Sequence, residues 1–569
     1  MLRTLYLLIV VGCIVPTIPG LLGVLASSLG YLPPLDMQTI SLTGFRQVFE
    51  WQGVWHSIGL TLYSSMISSY LACVLTFAIL QASWGTRFWR RIELMLSPLL
   101  AMPHVAFAIG FAFLFAPTGL GARWLHELLG YDPNARSVDA LALLVNDPHA
   151  LGLIVMLALK EVPFLLLMSI PIVQQLNVSQ VTKVSASLGY SRNAMWWKCL
   201  LPQWLNKLRF PMLAVMAYSL SVVDVALIIG PTNPPTFAVL VWQWFSDPDL
   251  TLLPRAAAGA VVLFALAALV IGLARMVEWL LTRGIRRWQW SGRSGISLAG
   301  RSLFSVILLI SLMMIPLLTL WSFAQRWRFP DVLPSSYTPR FWQYEWQSVA
   351  STVQQSLLLA LVSATVALVF ALLAHEYRIR YRLQIPGYII AVPMLLPQLS
   401  ILFGLQIITL YLHDSAHWFW VCWAHLFFAF PYVYLSLDGP WRSYDHNLTR
   451  VSLSLGQSPL RTWWRVKMPL LLPAIVFAWV IGISVSLAQY LPTLMLGAGR
   501  IRTITTEAVA LSSGFDRRVT AIYALWQAAL PLLFFAFAIT ISRLQAKYRH
   551  LSIKGLLPNE SLSRKPRHS

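Results

Sequence analysis

The segment Ser187–Pro202, SLGYSRNAMWWKCLLP, nearly recurs as the segment Ser454–Pro469, SLGQSPLRTWWRVKMP. Both copies contain Ser-Leu-Gly, a tandem tryptophan pair and a closing proline, and each feature recurs after 267 residues, as the positions of Gly189 and Gly456 show. Neither copy is apolar enough to cross a bilayer, yet long apolar runs flank both. A polar segment that returns at one spacing between apolar runs predicts a membrane protein with two homologous halves.

The composition supports a membrane protein. The chain has 569 residues, of which 57% are hydrophobic and only 11% charged, whereas a soluble domain is typically about 25% charged. Apolar runs of roughly 20 residues, enough to span about 30 Å of hydrocarbon, recur throughout, and the 25 tryptophans suit interfacial aromatic belts. We predict an all-α polytopic membrane protein with about 12 transmembrane helices in two parallel six-helix repeats. The predicted spans are 5–28, 56–80, 94–116, 151–171, 209–230, 255–281, 301–323, 352–374, 386–411, 417–437, 470–492 and 520–542.

The distribution of basic residues predicts the orientation. The net charge is +21, and the basic residues gather in the loops after the second, fourth, sixth, eighth, tenth and last spans. With both termini in the cytoplasm, all of these loops are cytoplasmic, as the positive-inside rule requires. We therefore predict a multi-pass protein that lies in the lipid bilayer with both termini in the cytoplasm. Nucleic-acid binding is not expected, because the basic residues form no separate domain. The N-terminus is interpreted as an uncleaved first span, since its apolar run continues past residue 20.

The repeat sets the predicted domain boundaries. The first half is 1–285 and contains the polar loop 177–202, here named loop A; the second half is 301–545 and contains loop 444–469, named loop B. The polar stretch 286–300 is the predicted cytoplasmic linker, and 546–569 is a basic cytoplasmic tail. A second repeated motif, MPHVAFAIG (Met102–Gly110) and LPQLSILFG (Leu396–Gly404), supports the duplication. Both halves have six spans and start on the same side, so the repeat is parallel.

Each loop is predicted to contain two short helices separated by a glycine turn. Gly189 and Gly456 fit the position after the first helix, where a left-handed backbone costs glycine nothing. The predicted N-caps of the four helices are Asn177, Ser191, Asn447 and Ser458. Pro459 fits the first turn of its helix, and Pro202 and Pro469 are predicted to end the second helices.

Two interpretations of these loops remain open at this point. Each could lie on the lipid surface, with Trp196, Trp197, Trp463 and Trp464 as interfacial anchors. Alternatively, two matched cytoplasmic helices could dock a partner with two-fold symmetry.

Loops A and B resemble the cytoplasmic loop of ABC importer permeases, whose pattern is Glu-Ala-Ala, three residues, Gly, nine residues and Ile-x-Leu-Pro. This resemblance identifies ATPase-coupling residues in both halves. They are Lys183, Val184, Ser185, Gly189, Trp196 and Pro202 in loop A, and Arg450, Val451, Ser452, Gly456, Trp463 and Pro469 in loop B. The pattern departs from the family at its start, because the glutamate position holds a basic residue in both copies.

The resemblance also implies function and partners. Two homologous halves on one chain are similar to the ferric-iron and thiamine permease group, which implies import of a thiamine-like solute or ferric iron. It implies a place in the bacterial inner membrane, two copies of a cytoplasmic ABC ATPase and a periplasmic substrate-binding protein. The chain has no Gly-x-x-x-x-Gly-Lys-Ser/Thr loop, so ATP is expected on the partner subunit, with no catalytic residue and no cofactor on this chain. Its four cysteines lack metal-ligand spacing, and no metal site is expected.

Five ionisable residues fall within predicted spans. They are His104, Lys160, Glu161, Asp224 and His425. Such residues usually face a cavity or pair with one another. They could line a translocation path, with Asp224 attracting a cationic substrate, or they could be structural, with Lys160 bridging Asp224. An ion-coupled secondary transporter, which would need a chain of intramembrane carboxylates, and a membrane enzyme remain alternative functions.

Overall fold

The long apolar segments form helices because a helix satisfies its own backbone hydrogen bonds within lipid. The computed structural model describes residues 2–130, 144–289, 292, 295–381, 387–411, 416–514 and 516–556. In the first half the helices are α1 (Leu2–Cys13), α2 (Thr17–Ser28), α3 (Thr43–Phe49), α4 (Val54–Ser83), α5 (Arg87–Ala101), α6 (His104–Phe115), α7 (Leu120–Leu129), α8 (Leu151–Gln175), α9 (Val178–Ser187), α10 (Arg192–Met195), α11 (Leu201–Ser221), α12 (Asp224–Ile229), α13 (Phe237–Phe245) and α14 (Leu253–Gln289).

The second half follows a similar order with fewer helices among the described residues. Its helices are α15 (Gly300–Phe323), α16 (Arg340–Tyr381), α17 (Gly387–Leu395), α18 (Gln398–Tyr411), α19 (His417–Ser443), α20 (His446–Ser454), α21 (Pro459–Thr462), α22 (Met468–Leu487), α23 (Leu491–Leu496), α24 (Ile504–Ser512) and α25 (Arg517–Leu556). Two short strands, β1 (Ala324–Arg326) and β2 (Ser336–Tyr337), pair antiparallel. The all-α polytopic fold is therefore confirmed.

In the part of the chain that the structure describes, ten helical segments are long and apolar enough to cross a membrane, or eleven if one bent pair is counted. The bent pair lies in predicted span 386–411, where the chain turns by 100° between Leu395 and Gln398. The predicted span 209–230 is not among the ten. Its helix, α11, carries Lys207 and Arg209 and ends at Ser221, before a break and the short α12.

The predicted linker and tail contain more helix than the sequence suggested. Helix α14 continues to Gln289, and α15 begins at Gly300. Helix α25 likewise continues into the predicted tail, to Leu556. Residues 290, 291, 293 and 294 of the linker and 557–569 of the tail lie outside the described residues.

The first long helix of each half packs on the other half. Helix α2 lies against α18, and α15 lies against α4 and α6. Glycines permit these contacts: a β-carbon on Gly404 would lie 1.6 Å from the carbonyl oxygen of Gly20, and one on Gly110 would lie 2.7 Å from the sulfur of Met314. The two halves are therefore interlocked.

The same buried hydrogen bond occurs in both halves. The backbone N–H of Phe237 donates to the hydroxyl of Thr61 over 2.7 Å, and the N–H of Ile504 donates to the hydroxyl of Ser356 over 2.8 Å. Ile504 follows Phe237 by 267 residues, the spacing of the two loops. In each half, a hydroxyl on a long helix, α4 or α16, thus binds the N-terminus of the equivalent short helix, α13 or α24.

Candidate functional site

Loops A and B each contain the predicted helix, turn and second helix. Gly189 and Gly456 have φ angles of 76° and 80°, in the left-handed region that only glycine adopts without strain. The Ser191 hydroxyl accepts a hydrogen bond from Ala194 N over 3.2 Å, and that of Ser458 accepts from Arg461 N over 3.3 Å. The predicted glycine turns and serine caps are confirmed.

The asparagine caps differ from the prediction. Asn177 occupies the N-cap position of α9, but its backbone is left-handed and its side chain makes no capping bond. Asn447 lies inside α20, and the cap is Asp445, whose carboxylate accepts from Asn447 N over 3.0 Å. The prediction for Asn447 is wrong because the nearby Asp445 carboxylate supplies the cap acceptor.

The sequence predicts that Pro202 and Pro469 end the second helices, and this prediction is wrong. In each loop the helix widens into a π-helical turn, Trp196–Leu200 or Trp463–Lys467, and then continues into α11 or α22. Proline has no N–H to donate to the carbonyl four residues before it. At Pro202 the carbonyl of Lys198 instead accepts from the Gln289 side chain over 2.8 Å. Each loop is thus joined by unbroken helix to the long helix that follows it, α11 or α22.

The tryptophans at the matched positions of the two loops, Trp196 and Trp463, are packed against protein. Trp196 is 1% exposed, and its ring meets Phe77 edge to face with the centroids 6.1 Å apart. The indole N–H of Trp463 donates to Glu376 Oε1 over 3.0 Å. These two rings therefore fix the loops to α4 and α16, whereas Trp464 remains 55% exposed.

Replacing Glu376 with glutamine is expected to lower the thermal unfolding temperature of the protein. Lys467 Nζ lies 2.5 Å from Glu376 Oε1, and the Lys467 side chain is only 6% exposed. Removing one partner of a buried ion pair lowers the free energy of unfolding by about 3–5 kcal/mol. Because Glu376 is partly exposed, we expect a decrease of about 1–3 kcal/mol. Thermal unfolding of the detergent-solubilised protein measures the effect. The double variant Glu376→Gln with Lys467→Met should recover most of the loss, and no change in the single variant would contradict the prediction.

The first helix of each loop, α9 in loop A and α20 in loop B, has one exposed side with equivalent residue types in the two copies. Lys183 and Arg450 are exposed at equivalent positions. The apolar residues beside them are also exposed, at 60% for Val184, 58% for Leu188, 57% for Val451 and 75% for Leu455. The serines that follow, Ser185 and Ser452, are buried. Each helix therefore presents a cation and two apolar side chains in one arrangement.

A cavity of about 330 Å³ lies between the halves. Four helix breaks meet at it. The breaks are Met102–Pro103, Val222–Val223, Leu396–Pro397 and Ala488–Tyr490. All of these residues except Pro397 line the cavity. Discontinuous helices commonly build substrate sites near the middle of a membrane protein, because their ends present polar groups to a cavity.

The cavity brings together four of the five ionisable residues predicted within spans. His104, Lys160, Glu161 and Asp224 all line it. His104 Nε2 lies 3.2 Å from Glu161 Oε1, although the two residues are 57 positions apart. Residues that the sequence analysis did not select also line it. They are Tyr218, Gln398, Tyr432, Gln489 and Tyr490. The repeated motifs that begin Met102-Pro103-His104 and Leu396-Pro397-Gln398 lie at two of the four breaks, and they are the sequence signal that indicates them.

The expected bridge between Lys160 and Asp224 does not form. Lys160 Nζ donates to the Leu99 carbonyl over 2.7 Å, and the Asp224 carboxylate accepts from Val225 N over 2.9 Å. Among the described residues, the structure gives Asp224 no side-chain partner. Its carboxylate is therefore held at the start of α12, at the cavity, and forms no ion pair with the described residues.

His425 lies apart from the cavity. It is 1% exposed, and its Nδ1 and Nε2 lie 2.7 Å and 2.8 Å from the hydroxyls of Ser486 and Thr493. Both ring nitrogens are thus satisfied by hydroxyls of α22 and α23. This histidine holds the broken helix together and does not line the central cavity. Across the described residues no group of three or more His, Cys, Asp or Glu side chains could hold a metal ion.

An interlocked pair of helical halves, a central cavity at broken helices and two matched surface loops define a polytopic membrane permease. No protein-family model matches the sequence. The chain is 33% identical over 509 residues to the inner membrane ABC transporter permease protein YnjC of Escherichia coli (strain K12), covering 89% of this chain and 91% of YnjC. The chain therefore belongs to the ABC transporter permease family and is a multi-pass inner membrane protein.

Shorter similarities extend to other permeases. The molybdenum transport system permease protein ModB of Mycobacterium bovis is 36% identical over 87 residues, 15% of this chain and 33% of ModB. The putrescine transport system permease protein PotI of E. coli (strain K12) is 24% identical over 155 residues, 25% of this chain and 53% of PotI. The named substrates differ among these relatives. Membership in this family supports the ABC permease interpretation over the ion-coupled and enzymatic alternatives.

Proposed function

We propose that this chain is the membrane-spanning subunit of an ATP-driven importer that moves a small organic cation through the central cavity. ATP is hydrolysed by two copies of a separate cytoplasmic ATPase, one on each loop, and a periplasmic binding protein delivers the substrate. The observation that carries the proposal is the matched exposed side of loops A and B. Two equivalent docking helices on one chain fit a partner with two-fold symmetry. The proposal places both termini in the cytoplasm.

The helices suggest how the loops act on the cavity. From loop A an unbroken helix passes through the π turn and α11 to Ser221, and Val222 lines the cavity. From loop B the corresponding helix reaches Leu487, and Ala488 lines the cavity. When ATP draws the two ATPases together, each loop moves its helix as a lever. The breaks at the lever ends then reshape the cavity, which produces alternating access.

The lining of the cavity favours a cation with an aromatic or other organic body. Glu161 is paired with His104, whereas Asp224 has the free carboxylate described above. Three tyrosines, Tyr218, Tyr432 and Tyr490, supply ring faces that attract cations. A thiamine-like solute fits this lining better than ferric iron, because the described residues offer no cluster of three metal ligands.

Replacing Lys183 and Arg450 together with glutamate tests the docking role of the loops. We expect the ATPase to copurify about three- to fivefold less well at low salt, because exposed ion pairs contribute about 0.2–1 kcal/mol each. The difference should shrink as salt rises, since screening acts over about 10 Å at 0.1 M. A matched control is Arg46→Glu, a charge reversal at an exposed residue of α3. If the wild type and the double variant gave equal yields of the complex at low salt, neither basic residue would contact the ATPase.

A further inference from the structure

A second cavity lies on the flank of the first half, between α4, α11 and α14, and has a volume of about 370 Å³. Its walls are almost entirely apolar. They include Cys73, Phe77, Trp204, Met212 and Leu281. We name it the flank groove. It is separate from the central cavity, and the proposed import mechanism does not use it.

Charged residues form one edge of the flank groove. Arg209 Nε lies 3.0 Å from both carboxylate oxygens of Glu278, and Arg275 Nη1 lies 2.6 Å from Glu278 Oε2. Two arginines share one carboxylate, so the edge has a net charge of about +1 by formal count. The arginine side chains are 41% and 48% exposed. A charged edge beside an apolar groove suits an occupant that has both a charged part and an apolar part.

The position of the groove narrows the choice of occupant. Trp197, Leu201 and Pro202, where loop A enters α11, also line it. The groove therefore lies at the membrane face that carries loop A, which is the predicted cytoplasmic face. The lipid surface at that face is negative because it contains anionic headgroups, and these are attracted to nearby basic side chains.

We propose that the flank groove binds one anionic phospholipid, with an acyl chain along its apolar walls and the phosphate at Arg209 and Arg275. A guanidinium has five N–H donors. Arg209 contacts Glu278 and Asn206 through Nε and Nη2, and Arg275 contacts Glu278 through Nη1. Both retain N–H groups for phosphate oxygens, to which arginine binds well.

The site belongs to the first half alone. At the 267-residue spacing, Arg209, Arg275 and Glu278 correspond to Val476, Ser542 and Gln545. None of these three is charged, so the duplicated scaffold does not itself require the charged edge. One lipid for each chain is therefore expected.

Native mass spectrometry of the full-length protein tests the proposal, using phosphatidylglycerol and phosphatidylcholine with identical acyl chains. The wild-type protein should retain one phosphatidylglycerol in preference to phosphatidylcholine. The double variant Arg209→Gln with Arg275→Gln should reduce this preference by about fivefold for each arginine. Glu278→Gln should increase it, because the competing carboxylate is removed. Opposite changes of the lipid preference in two folded variants would distinguish an effect on lipid binding from a general loss of structure.

The matched control is Arg283→Gln. Arg283 is on α14 like Arg275, but its guanidinium lies 4.0 Å from the ring centre of Trp279 and does not line the groove. This variant should retain phosphatidylglycerol as the wild type does. Equal retention of the two lipids by the wild type, or unchanged preference in the double arginine variant, would overturn the proposal. Displacement of the lipid by inorganic phosphate alone would also overturn it, since the acyl chain would then contribute nothing.

Discussion

Substitution of Gly189 and Gly456 together by valine is expected to reduce substrate uptake at least tenfold. Both glycines have φ angles near +80°, and a residue with a β-carbon loses about 1–2 kcal/mol in this left-handed conformation. No atom lies within 4 Å of a β-carbon built on Gly456, so backbone strain, and not a clash, causes the effect there. Two strained turns cost about 2–4 kcal/mol, enough to weaken ATPase docking more than tenfold.

The measurement is uptake and ATPase copurification in the same membranes. Gly130→Val provides the control, because Gly130 also has a positive φ, of 68°, and nothing lies within 4 Å of its β-carbon position. It lies after α7, outside loops A and B, so the same strain should leave ATPase docking unchanged. Normal uptake by the double valine variant would show that the turns do not position the docking helices.

Asp224→Asn is expected to reduce uptake by about 10- to 100-fold, because a hydrogen bond to a charged group contributes about 1.5–3 kcal/mol. The substitution keeps the shape of the side chain and its bond from Val225 N. It removes the charge that would attract a cation in a cavity of low dielectric. ATPase copurification should be unchanged, since Asp224 lies at the cavity and away from the loops.

Two further variants separate a substrate contact from a structural role. If Asp224 served only to balance Lys160, Asp224→Asn would be unstable and Lys160→Met would restore it. The structure instead places Lys160 Nζ on the Leu99 carbonyl, so no rescue is expected. Asp36→Asn, an acidic residue that does not line the cavity, should leave uptake intact. A stable Asp224→Asn protein with wild-type uptake would contradict the role in the path.

The sequence alone predicted the features that depend on neighbouring residues. Long apolar runs specify transmembrane helices because only helices satisfy the backbone within lipid. The turns at Gly189 and Gly456 and the caps at Ser191 and Ser458 were predicted correctly, because a left-handed φ or a hydroxyl three residues away is a local property. The prediction for Pro202 was wrong for a different reason. A widened turn and the side chain of Gln289, 87 residues later in the chain, compensate for the missing N–H.

Which distant residues meet depends on how the helices pack in three dimensions. Five ionisable residues within spans looked alike in sequence, yet packing placed His104 on Glu161 at the cavity and His425 between two hydroxyls outside it. Packing also brought Gly404 of the second half against α2 of the first. Periodicity reports which face of a helix is apolar, but the partner of that face depends on how all helices fill the available space. The pattern of apolar and turn-forming residues thus specifies the helices, the duplication and the turns of the loops, while close packing of the two halves creates the cavity and selects the residues that line it.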